Sequence, residues 1–445
     1  MHIGIDFGTT NSGAAVFDGR KVRVLPLDPA SQDPAVILST LYVTRDHQVV
    51  IGKEAIDSYY SQNISRPSRM VRKYIGEIEM TFAELPTFVR DVYVLVDELT
   101  PGRILRSLKS GLATSYEGTT VLGRYYELEE LIAIYLREIR HRVEEEMGQN
   151  VDGVVLGRPV NFVGSSGEAD NQRAVQRLRR AAEMAGFRDI AFELEPVAAA
   201  LHYELTVKKP QNVVVFDFGG GTLDITVMRV GEPRERPIFA TGGVGIAGDA
   251  FDQKIVEDLL LEHFGRGTTY DEDKAPFPNL YTDALVNWQT ALELLQPETL
   301  RFLQLAQLTG SHPARVRALE SLLINNYAIR MFDEVERAKI YLSEALFALI
   351  RLKGEDIDVW QPLTRSQFES LIAQETRLIE ACLQDTLARS GLQTEEIDAV
   401  VRTGGSAQIP CFIEMLGRIF GPDRIVLSDV FSGVTAGLAV RAGMG

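Results

Sequence analysis

The chain of 445 residues has little cysteine and no excess of positive charge. Its two cysteines, Cys382 and Cys411, show neither CxxC nor Cys/His spacing, so the sequence predicts no zinc site and no disulfide scaffold. The net charge of −16 argues against a nucleic-acid partner or an anionic membrane surface, because both select basic proteins. The chain also lacks a run of about 20 apolar residues, so no membrane span is expected.

The beginning of the sequence shows no secretion signal. Residues 1–4 lead directly into a strand-like segment, without the charged and apolar regions of a signal peptide. Taken with the scarcity of cysteine, this predicts a protein of the reducing cytoplasm. The hydrophobic fraction of 45% and the length fit a soluble protein with two lobes, each large enough for its own core.

One motif occurs twice in the sequence. Residues 5–16 read IDFGTTNSGAAV, and residues 216–227 read FDFGGGTLDITV. In each copy an apolar strand ends in Asp and a turn of Gly and Thr leads to a second strand, which predicts a β-hairpin with a tight polar tip. If the two tips face each other, their N–H groups can hold a polyphosphate, while Asp6 and Asp217 hold the metal that neutralises it. The pattern predicts a bilobal nucleotide-binding ATPase.

Strand-like and helical segments alternate along the chain, which predicts an α/β fold. Apolar residues at helical spacing predict helices over residues 128–147, 251–263 and 366–387. We predict one lobe over residues 1–205, to which residues 428–445 return, and a second lobe over residues 206–427. Residues from about 265 to 320 are polar and contain several prolines, so they are interpreted as a peripheral helical insertion in the second lobe.

Several further motifs follow the duplicated one in a fixed order along the chain. The ordered segments are DFGTTNS (6–12), EPVAAA (195–200), DFGGGTLD (217–224), ERAK (336–339) and GGSAQIP (404–410). With these segments the chain resembles the ATPase domain of the seventy-kilodalton heat-shock chaperones of the DnaK type, over almost its whole length. Ordered motifs over such a length are far more specific than a lone Gly-rich loop.

The resemblance implies an actin-like (ribonuclease H-like) fold, duplicated in two lobes around a deep cleft that holds ATP or ADP with Mg²⁺. Asp6, Asp217 and Asp224 are the implied metal site, and Glu195 and Asp224 would orient the attacking water or a bound cation such as K⁺. Glu336 and Lys339 would contact the ribose. The implied phosphate and adenosine contacts are Gly8, Thr9, Thr10, Asn11, Gly219, Gly220, Gly221, Thr222, Gly404, Gly405 and Ser406.

The family also uses a lysine that holds the nucleophilic water near the γ-phosphate, and two segments compete for this role. The segment VRKYIG (71–76) keeps an Ile-Gly ending but has Arg72 where the lysine is expected, which leaves Lys73 as its candidate. The segment RSLKSGL (106–112) keeps the lysine as Lys109. We favour Lys109, so the predicted catalytic residues are Asp6, Lys109, Glu195 and Asp217.

Some of these residues also have ordinary structural interpretations. Glu195 stands before Pro196 and could simply cap a helix. Glu336 and Lys339 are three residues apart and could form only a surface ion pair, of about 0.2–0.5 kcal/mol. The order of the motifs favours the functional interpretation in each case.

The sequence departs from the family in two ways. The family stacks adenine between two arginines, and Ile340 and Gln408 occupy those places here. Loss of a planar cation removes about 1 kcal/mol at each position, so weaker nucleotide binding or a looser base preference is expected. The sequence also shows no peptide-binding domain after the ATPase segments.

The sequence therefore predicts a chaperone-like nucleotide switch that binds ATP, hydrolyses it slowly with Mg²⁺ and signals lobe closure to an unidentified protein partner. Two alternatives stay open. A sugar-type kinase would need an aspartate base and a substrate pocket between the lobes, and the sequence identifies neither. A non-catalytic ATP-binding scaffold or filament subunit would explain the changes at Ile340 and Gln408.

Overall fold

The computed structural model describes residues 1–66, 69–80, 88–232, 236–271, 274–427 and 432–444. Strands and helices alternate along the chain, as predicted. The strands are β1 (His2–Phe7), β2 (Asn11–Phe17), β3 (Val22–Val24), β4 (Ile37–Leu38), β5 (Thr40–Thr44), β6 (Val49–Ile51), β7 (Met70–Met80), β8 (Phe88–Asp97), β9 (Gly102–Arg106), β10 (Gly118–Val121), β11 (Arg124–Glu127), β12 (Gly153–Arg158), β13 (Asp189–Leu194), β14 (Gln211–Phe218), β15 (Leu223–Val230), β16 (Ile238–Val244), β17 (Phe347–Gly354), β18 (Ile357–Thr364), β19 (Ala399–Thr403) and β20 (Ile425–Leu427).

The helices fill the connections between these strands. They are α1 (Lys53–Asn63), α2 (Leu128–Met147), α3 (Glu168–Met184), α4 (Glu195–Glu204), α5 (Gly248–Ile255), α6 (Asn279–Asp283), α7 (Trp288–Glu293), α8 (Pro297–Thr309), α9 (Pro313–Ile324), α10 (Ala328–Tyr341), α11 (Arg365–Leu371), α12 (Ala373–Ser390), α13 (Pro410–Phe420) and α14 (Gly433–Ala442). In the part of the chain that the structure describes, no helix is both long and apolar enough to cross a bilayer.

Each copy of the duplicated motif forms the centre of a sheet. In the first sheet the strand order is β13-β12-β1-β2-β3, with β4 added at β2. Strands β12 and β13 run parallel to β1, whereas β2 and β3 are antiparallel. The second sheet, β16-β15-β14-β19-β20, has the same arrangement around β14. The predicted duplication is therefore present in the strand topology as well as in the motif.

Helices α4 and α14 lie between the two sheets. Their apolar side chains form one buried cluster with residues of β12, β14, β15 and β19, including Val155, Ala198, Val215 and Leu438. The helices approach so closely that a Cβ at Gly437 would lie 1.6 Å from the carbonyl oxygen of Ala198. Helix α14 also contacts β1 and β2, so the end of the described chain packs on the first sheet.

A small three-stranded sheet, β6-β5-β9, packs against α1 and belongs to the first lobe. It meets α10 of the second lobe directly. The guanidinium of Arg106 donates to Asp333 at 2.9 Å, and the hydroxyl of Tyr60 donates to the same carboxylate. Ile329 of α10 is buried in the apolar cluster of β5, β9 and α1. The two lobes therefore contact each other through α10 and this small sheet, as well as through α4 and α14.

The segment predicted as a peripheral insertion is packed into the second lobe. Phe277, Leu303 and Leu319 are fully or almost fully buried in the same core as Phe216 and Phe251. The polar residues of α8 and α9 lie on the outer faces of these helices, which is why the composition suggested a peripheral position. The helical insertion from about residue 265 to 320 stays a prediction, and its apolar faces are buried in the core of the second lobe.

Two predicted helices are interrupted. The helix expected over residues 251–263 begins earlier, at Gly248, and continues after Ile255 as a π-turn and a 3₁₀ turn. The helix expected over residues 366–387 is broken at Ile372 into α11 and α12. Helix α2 spans residues 128–147, as predicted.

Candidate functional site

The first hairpin tip, between β1 and β2, consists of Gly8, Thr9 and Thr10. It is held by one residue of the strand connection that follows β4. The hydroxyl of Ser39 donates to the carbonyl of Gly8 at 2.7 Å, and the N–H of Ser39 donates to the carbonyl of Thr10 at 2.8 Å. With its carbonyls bonded in this way, the tip has a fixed shape.

The second tip, between β14 and β15, is held from two sides. The hydroxyl of Ser406 donates to the carbonyl of Gly219 at 2.7 Å. The N–H of Asp249, in the first turn of α5, donates to the carbonyl of Gly220 at 2.8 Å. Both interactions use carbonyl oxygens of the tip, so they leave the N–H side of the tip for an anion.

The two tips lie directly against each other across the cleft. A Cβ at Gly220 would lie 2.2 Å from Oγ1 of Thr10, and a Cβ at Gly221 would lie 2.6 Å from Oγ1 of Thr9. Distances below about 3 Å are not compatible with a side chain at either position. The glycines of the second motif are therefore required by the close approach of the first tip.

Lys109 lies in the floor of this cleft. It is carried by a 3₁₀ turn, Leu108–Gly111, directly after β9. Its Nζ donates to Oε1 of Glu195, the first residue of α4, at 2.5 Å. The side chains are only 7% and 10% exposed, so this is a buried ion pair. Lys73, the rival candidate, lies on the exposed part of β7 beside Gly123.

Three aspartates bring more negative charge to this pair than one lysine can balance. Burial, followed by the charge of Glu195, raises the pKa of Asp6 to about 7 and that of Asp224 to about 7. The same causes, with Asp224 and Asp6 added, raise the pKa of Asp217 well above its usual value. Burial alone would lower the pKa of Lys109, but Glu195 and Asp6 outweigh it and raise that pKa. The site has an excess of buried negative charge.

This excess is the observation that fits a divalent cation. Asp6 and Asp217 both line the cleft cavity, so their oxygens are available to an ion. Within the residues that the structure describes, no three acidic, His or Cys side chains converge as a complete metal cage. Mg²⁺ typically keeps several waters and binds through one or two carboxylates and phosphate oxygens, so the residues present fit Mg²⁺.

Asp224 is placed differently from the other two aspartates. It stands opposite Asp217 in the β14–β15 pairing. One of its oxygens accepts from the N–H of Val160 at 2.6 Å, and the other accepts from the hydroxyl of Thr222 at 2.9 Å. The bond from Val160 ties the second hairpin to the first lobe, because Val160 follows β12 of the first sheet, whereas the bond from Thr222 lies within the hairpin.

The residues expected at adenosine line the same cavity, of about 260 Å³. These are Glu336, Lys339, Gly404, Gly405 and Ser406, with Ile340 and Gln408 beside them. Lys339 is buried and does not form a surface pair with Glu336. Its Nζ donates to Asp252 at 2.7 Å and to the carbonyl of Gly248 at 3.0 Å. The side chain of Ile340 is exposed on the cavity rim.

The sequence reasoning missed several groups around the tips. Asp249 and Asp252, both of α5, bind the second tip and Lys339 respectively. Arg106 at the end of β9 and Asp333 of α10 form an ion pair between the two lobes. A signal for the first two was present, because the Gly-rich turn before α5 ends in closely spaced aspartates. The Arg106–Asp333 pair had no local signal, because its members are 227 residues apart.

Comparison with known protein families gives one match that covers most of the chain. The sequence model of the family described as Hsp70 protein matches residues 2–281 and 323–444. The unmatched stretch between them contains α7, α8 and most of α9. All of the cleft residues described above lie inside the matched ranges.

Proposed function

This chain belongs to the Hsp70 family, and on that premise we propose that it is a nucleotide switch that binds ATP with Mg²⁺ and hydrolyses it slowly. Its fold is the actin-like, duplicated two-lobe ATPase fold. Family membership makes it an ATP-binding ATPase of the chaperone type. The proposal adds the dependence on Mg²⁺, the slow rate of hydrolysis, the role of each site residue and the closure of the lobes on the bound nucleotide.

The observation that carries the proposal is the buried Lys109–Glu195 pair beside Asp6 and Asp217, under two touching hairpin tips. An ammonium in this position attracts the oxygen of a water near the terminal phosphate. Glu195 holds that ammonium in place and can accept a proton from the water, either directly or through a second water. Positioning and charge neutralisation of this kind suffice for in-line attack, without a covalent intermediate.

The tips provide the phosphate contacts in this proposal. Backbone N–H groups of Gly8 to Asn11 and of Gly220 to Thr222 bind the β- and γ-phosphates from the two lobes. The N–H of Gly219 donates to the carbonyl of Thr222 at 3.1 Å and closes the second tip. A bound Mg²⁺ would neutralise phosphate charge between Asp6 and Asp217, and Asp224 orients the water or a second cation such as K⁺. Glu336, Lys339 and residues 404–406 contact the adenosine.

Nucleotide binding would be reported by the relative position of the lobes. Ligands bound between two tips from different lobes favour the closed arrangement, because they contact both lobes only when these are together. We propose residues 1–205 with 428–445, and 206–427, as the two units, and a protein partner in the cytoplasm that senses their closure. Ile340 and Gln408 leave adenine without a cationic clamp, so other purine bases should be accepted more readily.

Release of phosphate from ATP by the full chain, with Mg²⁺ and no added acceptor, tests the proposal. We expect slow release that stops when EDTA removes the metal. A matched control is Asp258→Asn, which removes an exposed carboxylate outside the cleft and should not change the rate. Tight ATP binding without phosphate release would contradict the hydrolytic part of the proposal, and transfer to an added polyol would indicate a kinase.

A further inference from the structure

Helix α10 extends along the nucleotide cavity, away from the hairpin tips. Glu336 also lines a neighbouring cavity at the tips, whereas Ile340, Ser343 and Glu344 line the nucleotide cavity alone. The helical turn continues beyond Tyr341, because the N–H of Glu344 donates to the carbonyl of Tyr341 at 3.1 Å. At a rise of about 1.5 Å per residue, Glu344 lies about 12 Å farther along the axis than Glu336. The base of a nucleotide whose ribose lies at Glu336 therefore reaches the end of the cavity beside Ser343 and Glu344, which we call the base end.

The opposite wall of the base end comes from the segment after β19 and from α14. Ser406 holds the second tip through its hydroxyl, and Gln408 and Ile409 follow it and line the same cavity. Val434, in the first turn of α14, lines it too. Ile409 and Val434 are buried apolar residues, of the kind that lines small-molecule sites. The base end therefore has apolar walls for a ring and a few polar side chains to orient it.

Two polar side chains at the base end have no partner within the described part of the protein. Gln408 is half-buried, and Glu344 is exposed at the rim of the cavity. Among the residues that the structure describes, neither the carboxamide of Gln408 nor the carboxylate of Glu344 forms a hydrogen bond or an ion pair. Both lysines of the cavity already pair with other carboxylates. The two side chains are therefore available to a bound base.

A carboxylate distinguishes nucleobases because it only accepts hydrogen bonds, whereas a carboxamide both donates and accepts. Guanine presents two adjacent donors, its N1–H and its 2-amino group. Adenine presents its 6-amino group beside the lone pair of N1, which repels a carboxylate, and each pyrimidine likewise has an acceptor beside its donor. A carboxylate can therefore pair with two neighbouring donors only on guanine. The carboxamide of Gln408 suits either purine.

We propose that Glu344 makes guanine nucleotides substrates of this site beside ATP, by accepting hydrogen bonds from N1–H and the 2-amino group of the base. The inference rests on the proposed function, since it concerns the base of the nucleotide that the hairpin tips hold. GTP is then hydrolysed by the same groups as ATP. Because Glu344 is exposed to solvent, its bonds to the base are weaker than buried ones, and the selectivity it gives is moderate.

Isothermal titration calorimetry of the full chain with Mg²⁺ tests this proposal, with ADP, GDP and IDP as the probes. IDP has the O6 and the N1–H of guanine and lacks only the 2-amino group, so it isolates one bond to the carboxylate. We expect the affinity for GDP to be at most about threefold below that for ADP. We also expect GDP to bind at least about threefold more tightly than IDP, the size of one exposed hydrogen bond.

The variant Glu344→Gln keeps the size of the side chain and removes its charge. The ratio of GDP affinity to ADP affinity should fall about three- to tenfold, because the amide accepts only one bond from guanine and can donate to N1 of adenine. Glu262→Gln is the matched control, since Glu262 is exposed and lines neither cavity. It should leave the ratio unchanged.

Three results would overturn the proposal while the nucleotide site stands. The first is GDP binding more than about threefold weaker than ADP binding, and the second is a difference below about threefold between GDP and IDP. The third is a GDP-to-ADP ratio that falls less than about threefold in Glu344→Gln. ADP binding by the variant reports that it is folded, and the first two results need no variant. Absence of binding of all three nucleotides to the parent chain would instead contradict the proposed function, and the role of Glu344 with it.

Discussion

Replacement of Lys109 by alanine is the sharpest test of the proposed chemistry. The variant removes the ammonium that donates to Glu195 and leaves Asp6, Glu195 and Asp217 without a buried cation. If the ammonium acts mainly on charge that develops at the terminal phosphate, the rate should fall on the order of a hundredfold, as for other single positioned electrostatic groups. That fall corresponds to about 2.7 kcal/mol of activation free energy. The affinity for ATP should change little, because the interaction strengthens in the transition state.

The same change affects stability, since one partner of a buried ion pair is lost. Breaking such a pair by removing one side typically costs about 3–5 kcal/mol. In the double variant Lys109→Ala with Glu195→Gln, the isolated carboxylate is also removed, so the free energy of unfolding should recover in part while the hydrolysis rate stays low. This difference separates the role of Lys109 in hydrolysis from its role in folding.

Single-turnover phosphate release gives the rate, and calorimetry with a non-hydrolysable ATP analogue gives the affinity. Lys73→Ala is the matched control, because Lys73 lies on an exposed part of β7. A hundredfold fall in the Lys73 variant, with parental behaviour of the Lys109 variant, would refute the assignment and the alignment of the first lobe on which it rests.

Three further variants test other parts of the structure. Asp217→Asn should keep the fold but lose Mg²⁺-dependent phosphate release at least tenfold, or about 1.4 kcal/mol; undiminished release would remove Asp217 from the site. Ile340→Arg should restore one cationic face for adenine and tighten ADP binding about two- to fivefold by calorimetry, and weaker binding would argue against stacking at this rim. Leu319→Ala removes a fully buried side chain from the core of the second lobe, so urea denaturation should show a loss of about 2–5 kcal/mol. A loss below about 0.5 kcal/mol would indicate a peripheral segment after all.

The duplicated hairpins could be predicted from the sequence because their signals are local. Each copy occupies about a dozen consecutive residues, with alternating apolar residues, an aspartate at the strand end and a Gly-Thr turn. These residues predict a hairpin without information from the rest of the chain. The parallel partners of β1 and β14 are distant in sequence, so their registers could not be predicted from such patterns. The family resemblance supplied the order of the remaining site residues.

The groups that the prediction missed depend on long-range contacts. Lys339 was expected at the ribose, and its buried bond to Asp252 joins residues 87 positions apart. Nor could the sequence show that Leu303 and Leu319 face the same core as Phe216, since apolar residues of an amphipathic segment do not identify the surface against which they pack. Propensity and composition describe one segment at a time, whereas burial is decided by the segments that pack against it.

The contact between α4 and α14 has a consequence for how the molecule moves. At Gly437 the two helices meet backbone to backbone, with no side chain between them. Rotation about such a point leaves few rotamers to rearrange, in contrast to a contact of interlocking large side chains. We therefore expect the two helices to rotate against each other at this point with little repacking of side chains. Any side chain at position 437 would force the two helices apart, because even a Cβ would lie 1.6 Å from the carbonyl oxygen of Ala198.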